Sequence, residues 1–339
     1  MRLPLPAWMA IAALLFALVS TPARAAHKPM PSGSQPEVRV GILLFDQVQI
    51  IDFTGPYEVF GTAGFGVATV SRDGKPVTTA MGLAVTPDHG FADAPEFDVL
   101  LIPGGEVDKP QGDPVVLDFI RNRATKAKHV LSVCTGAYIL AATGLLDGQK
   151  ATTFFPQLDG LARSHPKVEV VSDQRWVDNG KVITSAGLSS GIDAALHVVA
   201  RLRGEMSARS VALHLEYDWH PEQGFVRGRM ADRYMPKLNK VEWPKDFAAE
   251  RLYSVGDEHA WRIRVRIRTA TAQDEIVRRI VSDIEASDWK RDQTATGYHW
   301  MRRTDGGQIG LTLTQHPVAA GEFELEIATS VLNRTTSRR

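Results

Sequence analysis

The sequence contains a single cysteine, Cys134, among its 339 residues. One cysteine cannot form an internal disulfide, so the fold has to be stabilised by its hydrophobic core. An excess of charge is also missing, because 39 Lys and Arg residues balance 39 Asp and Glu residues. This balance argues against the basic surface that binds nucleic acid, so no nucleic-acid partner is expected.

A hydrophobic run long enough to cross a membrane is missing from the N-terminus. Ala7–Val19 comprise 13 apolar residues, whereas a spanning helix needs about 20. Arg2 precedes this run, and the letters PARAA after it offer an Ala-x-Ala cleavage site. The pattern predicts a secretory signal peptide at 1–25, a linker at 26–37 and export to a compartment such as the periplasm, with no stable anchor after cleavage. An uncleaved anchor is the alternative.

Short apolar runs alternate with helical patterns between residues 38 and 222. The runs VRVGILLF, DVLLIPGG, HVLSVC and KVITSAG are typical of strands that are buried on both faces of a parallel sheet. DPVVLDFIRNRATKA, AYILAATGLL and GIDAALHVVARLRG lie between them and have helical periodicity. The alternation predicts an α/β sandwich at 38–222. FGVATVSRDGKPVTTAMGLAVTPDHGF instead predicts short strands around an Asp-Gly turn, as an excursion or an edge hairpin.

The pattern changes after residue 222. Residues 223–257 have no clear period and are predicted to be a connecting segment. WRIRVRIR then alternates strictly, which predicts a half-buried antiparallel strand with apolar side chains on one face and arginines on the other. The arginine face meets either an anionic partner or solvent, and the pattern leaves both open.

A helix and two more strands are predicted to complete a small α+β domain at 258–332. In TAQDEIVRRIVSDIEAS, isoleucine and valine recur at helical spacing, and Thr271 and Asp274 resemble a capping box. GQIGLTLTQ and EFELEIAT alternate as antiparallel strands do. One helix is therefore expected to cover one face of an antiparallel sheet.

Cys134 lies where the predicted strand HVLSV meets the predicted helix TGAYILAATGLL. Strands of a parallel sheet present functional groups at their carboxyl ends, and this junction resembles a nucleophile elbow, a tight turn that exposes its central side chain. Gly136 allows the turn to pack closely, and the positive end of the helix favours a thiolate. A buried structural cysteine is the alternative, because free cysteine is among the most buried residue types.

Two further strand ends carry groups that are expected to lie near Cys134. LLIPGG ends in Gly104 and Gly105, whose backbone amides are candidates for binding an oxyanion, with a plain turn as the alternative. Asp52 lies in the apolar context IIDF, where desolvation raises a carboxyl pKa and allows proton transfer near neutral pH. Its alternative role is the N-cap of a helix that begins near Gly55.

Four colinear motifs together resemble the ThiJ/PfpI superfamily of class I glutamine amidotransferase-like proteins. They are LLFDQVQIIDFTGPYEVF, LLIPGG, SVCTGAYILAATGLLDGQKATT and TSAGLSSGIDAALH, and they extend from about Val38 to Tyr217. Within the superfamily, the sequence is similar to the isocyanide (isonitrile) hydratases and to the ligand-like domains of arabinose-type transcription regulators. The resemblance implies a flavodoxin-like parallel-sheet sandwich, a homodimer and no cofactor. It does not extend to the tail from about Gly224.

Carried over by position, the resemblance implies that Cys134 is the nucleophile and Asp52 its acidic partner. Thr135 corresponds to a hydratase threonine that hydrogen-bonds in the active site, and Gly104 and Gly105 line the same pocket through backbone groups.

The sequence departs from other branches of the superfamily. Thr135 stands where the protease-like members place a histidine, so a Cys–His dyad of that type is absent. Asp193 matches a recurring position and is interpreted as structural. His214 and Glu216 resemble the His-x-Glu pair of amidotransferases, but they are expected on a helix away from the elbow. Together with His220 they fit no standard metal-ligand spacing, so no metal is predicted.

The resemblance implies an exported, cysteine-dependent enzyme that hydrates or hydrolyses a small electrophile, with an isocyanide as the leading substrate. In this hypothesis Cys134 attacks the terminal carbon, and Asp52 donates or accepts the proton. The same pair is also suited to a reactive aldehyde or to sensing oxidants. The alternative is a non-catalytic ligand-binding or oxidative-stress sensor domain, related to the regulator fusions but without a DNA-binding module.

Overall fold

The fold is taken from a computed structural model. The residues that it describes are 38–222, 224–304, 307–319 and 321–334. The predicted signal peptide and linker lie outside these residues. Within the described ranges, no helix is long and apolar enough to cross a membrane.

A seven-stranded, mostly parallel sheet organises the first domain. The strands of this domain are β1 (Arg39–Leu43), β2 (Gly66–Ser71), β3 (Val77–Thr78), β4 (Ala84–Val85), β5 (His89–Gly90), β6 (Val99–Ile102), β7 (His129–Val133), β8 (Lys150–Ala151), β9 (Glu169–Val170), β10 (Trp176–Asp178) and β11 (Val182–Ser185). The sheet order is β10-β11-β7-β6-β1-β2-β5. Each neighbouring pair is parallel except β10 with β11.

Helices cover both faces of this sheet. The helices of the chain are α1 (Ile50–Thr62), α2 (Asp108–Gly112), α3 (Pro114–Lys126), α4 (Gly136–Ala142), α5 (Leu158–Ser164), α6 (Ser190–Arg203), α7 (Glu205–His214), α8 (Val226–Arg229) and α9 (Gln273–Glu285), with 3-10 turns at Phe155–Gln157 and Ala231–Tyr234. One hydrophobic core lies under α1, α6 and α7, and a second lies under α3 and α4. The central strands β6 and β7 are buried at every position, which confirms the predicted flavodoxin-like α/β sandwich.

The region after α1 was predicted as an excursion or edge hairpin, and the structure divides it. β2 runs parallel to β1, and β5 runs parallel to β2, so both strands belong to the main sheet. β3 and β4 pair as a short antiparallel hairpin. The Asp73-Gly74 turn joins β2 to β3, which do not pair with each other. The sequence alone could not distinguish these pairings because the strands are only two to six residues long.

The tail folds as a six-stranded antiparallel sheet. Its strands are β12 (Ala248–Gly256), β13 (Ala260–Arg268), β14 (Lys290–Arg291), β15 (Tyr298–Thr304), β16 (Gly307–Ala319) and β17 (Glu322–Arg334). Their order is β12-β13-β17-β16-β15-β14. Helix α9 buries Ile276, Val277, Ile280 and Ile284 in a core that also contains Trp300. The predicted small α+β domain is therefore present.

Two details of the tail were predicted wrongly. β12 lies within the predicted connecting segment at 223–257, and it went unrecognised because this edge strand buries none of its residues and lacks the apolar alternation of a half-buried strand. The predicted capping box is also wrong. The N-cap of α9 is Ala272, without a side-chain hydrogen bond, and Thr271 lies one residue outside it.

Three of the four arginines on this face of β13 form ion pairs within the sheet. β13 pairs with β17, which places a row of glutamates opposite the arginines. Arg264 Nε and Arg266 Nη2 both lie 2.9 Å from carboxylate oxygens of Glu324, and Arg268 Nε lies 3.1 Å from Glu322. These pairs remove the need for an external anion, so the alternative of an anionic partner loses its support.

Candidate active site

Cys134 occupies a tight turn between β7 and α4, as the elbow prediction requires. Its backbone φ is 58°, a left-handed conformation that residues other than glycine rarely adopt and that is typical of functional sites. Gly136 is needed for this turn, because a Cβ there would lie 2.2 Å from the Ile102 carbonyl oxygen. The close packing of the turn thus depends on glycine, as predicted.

Asp52 lies in the first turn of α1 and is completely buried. Its carboxylate accepts hydrogen bonds from the backbone N–H of Gly104, at 3.2 Å, and of Leu188, at 3.1 Å. The neighbouring side chain of Cys134 lowers the pKa of this carboxyl. The alternative role of Asp52 as an N-cap is wrong, because the helix begins at Ile50 and its N-cap is Gln49.

The two titratable groups of the site are strongly coupled. Burial raises the pKa of Asp52 from 3.8 to about 6, although the hydrogen bonds from Cys134, Leu188 and Gly104 oppose the shift. Burial also raises the pKa of the Cys134 thiol, and the nearby Asp52 charge raises it further. At neutral pH the stable arrangement is therefore a protonated thiol beside an ionised carboxylate.

The start of α4 lowers the pKa of Cys134 in the predicted direction, but this effect is too small to make a thiolate the resting state. Contacts from the Thr135 amide and side chain do lower the pKa of Cys134, but burial and the charge of Asp52 outweigh them. Ionisation of the sulfur requires Asp52 to take up the proton as the thiol reacts. The site is consequently suited to coupled proton transfer rather than to a pre-formed thiolate.

Gly104 and Gly105 hold the polar side chains of the site in place. The Gly104 amide donates to Asp52, and the Gly105 amide donates to the Thr135 hydroxyl at 2.9 Å. The same hydroxyl lies 2.9 Å from the Gly105 carbonyl oxygen and donates to it. The structure thus gives both amides a use different from the predicted oxyanion binding. Side chains at either position would collide, with a Cβ 2.7 Å from Thr135 or 2.2 Å from Gln47.

Leu188, Gly187 and Thr153 also contribute to the site, although the sequence did not predict a role for them. Leu188 has a φ of 59° and donates its backbone N–H to Asp52. A Cβ on Gly187 would lie 3.0 Å from Cys134 Sγ and 2.7 Å from Cδ2 of Phe154, so the sulfur and this ring flank one glycine. Thr153 Oγ1 donates to the Cys134 carbonyl at 2.7 Å. Gly187 and Leu188 follow a buried strand and lie in the motif TSAGLSSGIDAALH, which were the two sequence signals for them.

Asp193 binds groups other than the sulfur, as its structural interpretation implies. Its carboxylate lies 2.6 Å from Arg175 Nε and accepts a hydrogen bond from the Tyr217 hydroxyl at 2.9 Å. His214 is the exposed last residue of α7, and Glu216 follows the helix. Across the described ranges, no group of three or more His, Cys, Asp or Glu residues is arranged to hold a metal.

Comparisons with known proteins agree with this geometry. The sequence profile of the DJ-1/PfpI family matches residues 38–201. Isonitrile hydratase of Pseudomonas putida is 41% identical over 183 residues, which cover 53% of this chain and 78% of the hydratase. The HTH-type transcriptional regulator GbdR of Pseudomonas aeruginosa is 27% identical over 222 residues, which cover 62% of this chain and 60% of the regulator.

A solved structure resembles the first domain. The crystal structure of a ThiJ/PfpI family protein from Pseudomonas syringae is 31% identical, with a TM-score of 0.51, and the match covers 61% of this chain and 86% of that one. The sequence match, the flavodoxin-like sheet and the cysteine elbow lead to one conclusion. The chain belongs to the DJ-1/PfpI family, with an additional antiparallel domain at its C-terminal end.

Proposed function

We propose that this protein is a cysteine-dependent enzyme that hydrates an isocyanide or a similar small electrophile. The observation that carries the proposal is the buried carboxyl of Asp52, held by the Gly104 amide beside Cys134 at the elbow. The 41% identity to an isonitrile hydratase supports the choice of substrate class. The reaction is covalent nucleophilic catalysis and requires no cofactor.

The proposed reaction begins with attack of Cys134 Sγ on the terminal carbon of the isocyanide. Asp52 accepts the thiol proton and delivers it to that carbon, so that a C–S and a C–H bond form and a thioimidate results. Water then adds to the thioimidate carbon, and its protons pass to the nitrogen and, through Asp52, to the departing sulfur. The C–S bond breaks, which releases an N-substituted formamide and restores the thiol.

The surrounding groups support the proton transfer. A carboxyl with a pKa of about 6 can both accept and donate a proton near neutral pH. The amides of Gly104 and Leu188 hold the Asp52 carboxylate beside the sulfur. Thr135 contacts the sulfur through its amide and side chain and lowers the pKa of the thiol, which eases ionisation at the moment of attack.

The proposal also covers the location of the protein, its kind of partner and its oligomeric state. The charged residue, apolar run and Ala-x-Ala site of 1–25 support cleavage and export to the periplasm. The balanced charge supports a small-molecule substrate without a nucleic-acid partner. A homodimer is supported by exposed apolar side chains next to the site, Tyr57 on the helix that carries Asp52 and Leu188 beside it.

Formamide production tests the proposed activity. The mature protein, incubated with a simple alkyl isocyanide, is expected to form the N-alkyl formamide, whereas Cys134→Ala is expected to form none above the uncatalysed rate. Chromatography with mass detection measures the product. The melting temperature of Cys134→Ala serves as the control for folding. Equal rates for the two proteins, or no formamide from either, would contradict the hydratase proposal.

A second candidate is a binding or sensor domain without turnover. It is favoured by the raised pKa of Cys134, which leaves the resting thiol weakly nucleophilic. The match to the regulator GbdR, which extends over 222 residues, also favours it. For this candidate, an isocyanide or another small electrophile would bind in equilibrium dialysis without release of product.

A further inference from the structure

The segment between the two domains contacts Phe155, the residue that follows Phe154 of the active site. We propose that Arg227 in this segment is a positioning residue that holds the Phe154–Phe155 rim beside Cys134, so that the antiparallel domain limits the size of the molecules that reach the sulfur. The inference rests on the proposed function only in taking Cys134 as the reacting group.

Arg227 links aromatic rings from both domains. Its guanidinium carbon lies 4.1 Å from the ring centroid of Phe155 in the α/β domain and 5.7 Å from that of Trp261 on β13. Both distances are within the range of a cation–π contact. Asp232 binds both terminal nitrogens of Arg227, one of them at 2.5 Å. This bidentate pair fixes the plane of the guanidinium and therefore the ring that stacks on it.

The segment that carries Arg227 is attached to the antiparallel sheet. The amide of Ala231 donates to the Asp257 carbonyl at 2.8 Å. The Ala231 carbonyl accepts a buried hydrogen bond of 3.0 Å from the hydroxyl of Thr329 on β17. Because Ala231 is fully buried, the segment is held to the sheet at this point, and Arg227 is presented by the antiparallel domain.

The same segment packs closely against the α/β domain. A Cβ on Gly228 would lie 2.3 Å from the carbonyl oxygen of Ser172, so the two backbones are in direct contact there. Lys237 forms an ion pair with Asp159 on α5, just after the Phe155–Gln157 turn. Since both side chains of this pair are largely exposed, it adds little energy, and the stacking of Arg227 dominates the contact at the rim.

Phe155 is coupled to the sulfur through its neighbour. Phe154 immediately precedes Phe155, and its ring and Cys134 Sγ lie against the same side of Gly187. A shift of Phe155 therefore moves the ring that closes one side of the sulfur. A segment whose only role was to join the two domains would not need an arginine stacked on Phe155.

Size-selective labelling of the single cysteine tests the inference, and every label reports Cys134 alone. Methyl and benzyl methanethiosulfonate share one reactive group and differ in bulk. Arg227→Ala is expected to raise the ratio of the benzyl rate to the methyl rate by about three- to tenfold, the range that loss of a partly desolvated cation–π contact implies. Arg227→Lys is expected to fall between this variant and the wild type.

The matched control is Arg229→Ala, an exposed arginine on the same short helix, which should leave the ratio unchanged. Phe155→Leu removes the ring on which Arg227 stacks and should raise the ratio of the benzyl rate to the methyl rate in the same way. It tests the inference even if Arg227→Ala yields no folded protein. A general loosening of the fold would be seen as a lower melting temperature, which is measured for every variant. An unchanged ratio in Phe155→Leu, or an equal change in Arg229→Ala, would overturn the inference. Labelling needs no turnover, so this result is independent of the formamide assay.

Discussion

Replacing Asp52 with asparagine is expected to lower kcat/KM for isocyanide hydration by about 10²–10⁴-fold, the usual contribution of a positioned general acid–base group. The thiol has a raised pKa, and Asp52 is the carboxylate whose charge acts on it among the described residues, so without Asp52 the thiol proton loses this acceptor at the moment of attack. The amide of asparagine can still accept from one backbone N–H but cannot carry the proton. Steady-state kinetics of formamide release measure the effect.

The pH dependence distinguishes proton transfer from simple positioning. Asp52 has to be ionised to accept the thiol proton, so wild-type kcat/KM should rise with pH through a midpoint near the Asp52 pKa of about 6. This limb should be missing from Asp52→Asn. The matched control is Asp193→Asn, because Asp193 is also a buried aspartate but binds Arg175 and Tyr217, so the limb should remain. A limb that persists in Asp52→Asn would contradict the proposed role of Asp52.

Asp52 is also expected to make the protein less stable as the pH rises. Its pKa is 3.8 in the unfolded chain and about 6 in the native state, so between these values the native state holds a proton that the unfolded state has released. The resulting stabilisation is fully present below pH 3.8 and is lost as the pH passes 6. At 1.36 kcal/mol per pKa unit, it amounts to up to about 3 kcal/mol.

Denaturant unfolding at several pH values measures this effect against Asp52→Asn, which cannot titrate at this position. The difference between the two proteins cancels the contributions of the other groups. The free energy of unfolding of the wild type should fall relative to that of the variant between pH 4 and pH 7. A difference that stays constant over this range would show that Asp52 has an ordinary pKa in the folded protein.

The positions of the residues that meet at the site could be predicted from the sequence, whereas the protonation state of the thiol could not. Three strand ends, each recognisable from a buried apolar run, predicted that Cys134, Asp52 and the Gly104–Gly105 turn lie close together, and the structure brings them together. The state of the thiol could not be predicted in the same way, because its pKa depends on how burial and one neighbouring charge balance the contacts from Thr135. Leu188 was missed because its contribution is a backbone N–H rather than a side chain, and a side-chain pattern carries no information on that.

In the C-terminal domain, too, the sequence pattern predicted the elements but not the contacts between residues far apart in the chain. The alternation of apolar residues identified β13 and the core face of α9 correctly. The arginine face was ambiguous because its partners, Glu322 and Glu324, lie more than 50 residues away in sequence, and the strand register alone brings them together. The contact of Arg227 with Phe155 likewise depends on the tertiary packing of a segment that has no periodic pattern.

The mass of the protein during turnover tests most directly whether Cys134 forms a covalent intermediate. Wild-type protein that is quenched with acid while it hydrates an alkyl isocyanide should gain the mass of one isocyanide molecule, and peptide mapping should place this adduct on Cys134. The adduct should be missing from Cys134→Ala. Formamide production without any adduct on Cys134, or an adduct of the same mass in Cys134→Ala, would contradict covalent catalysis by this thiol.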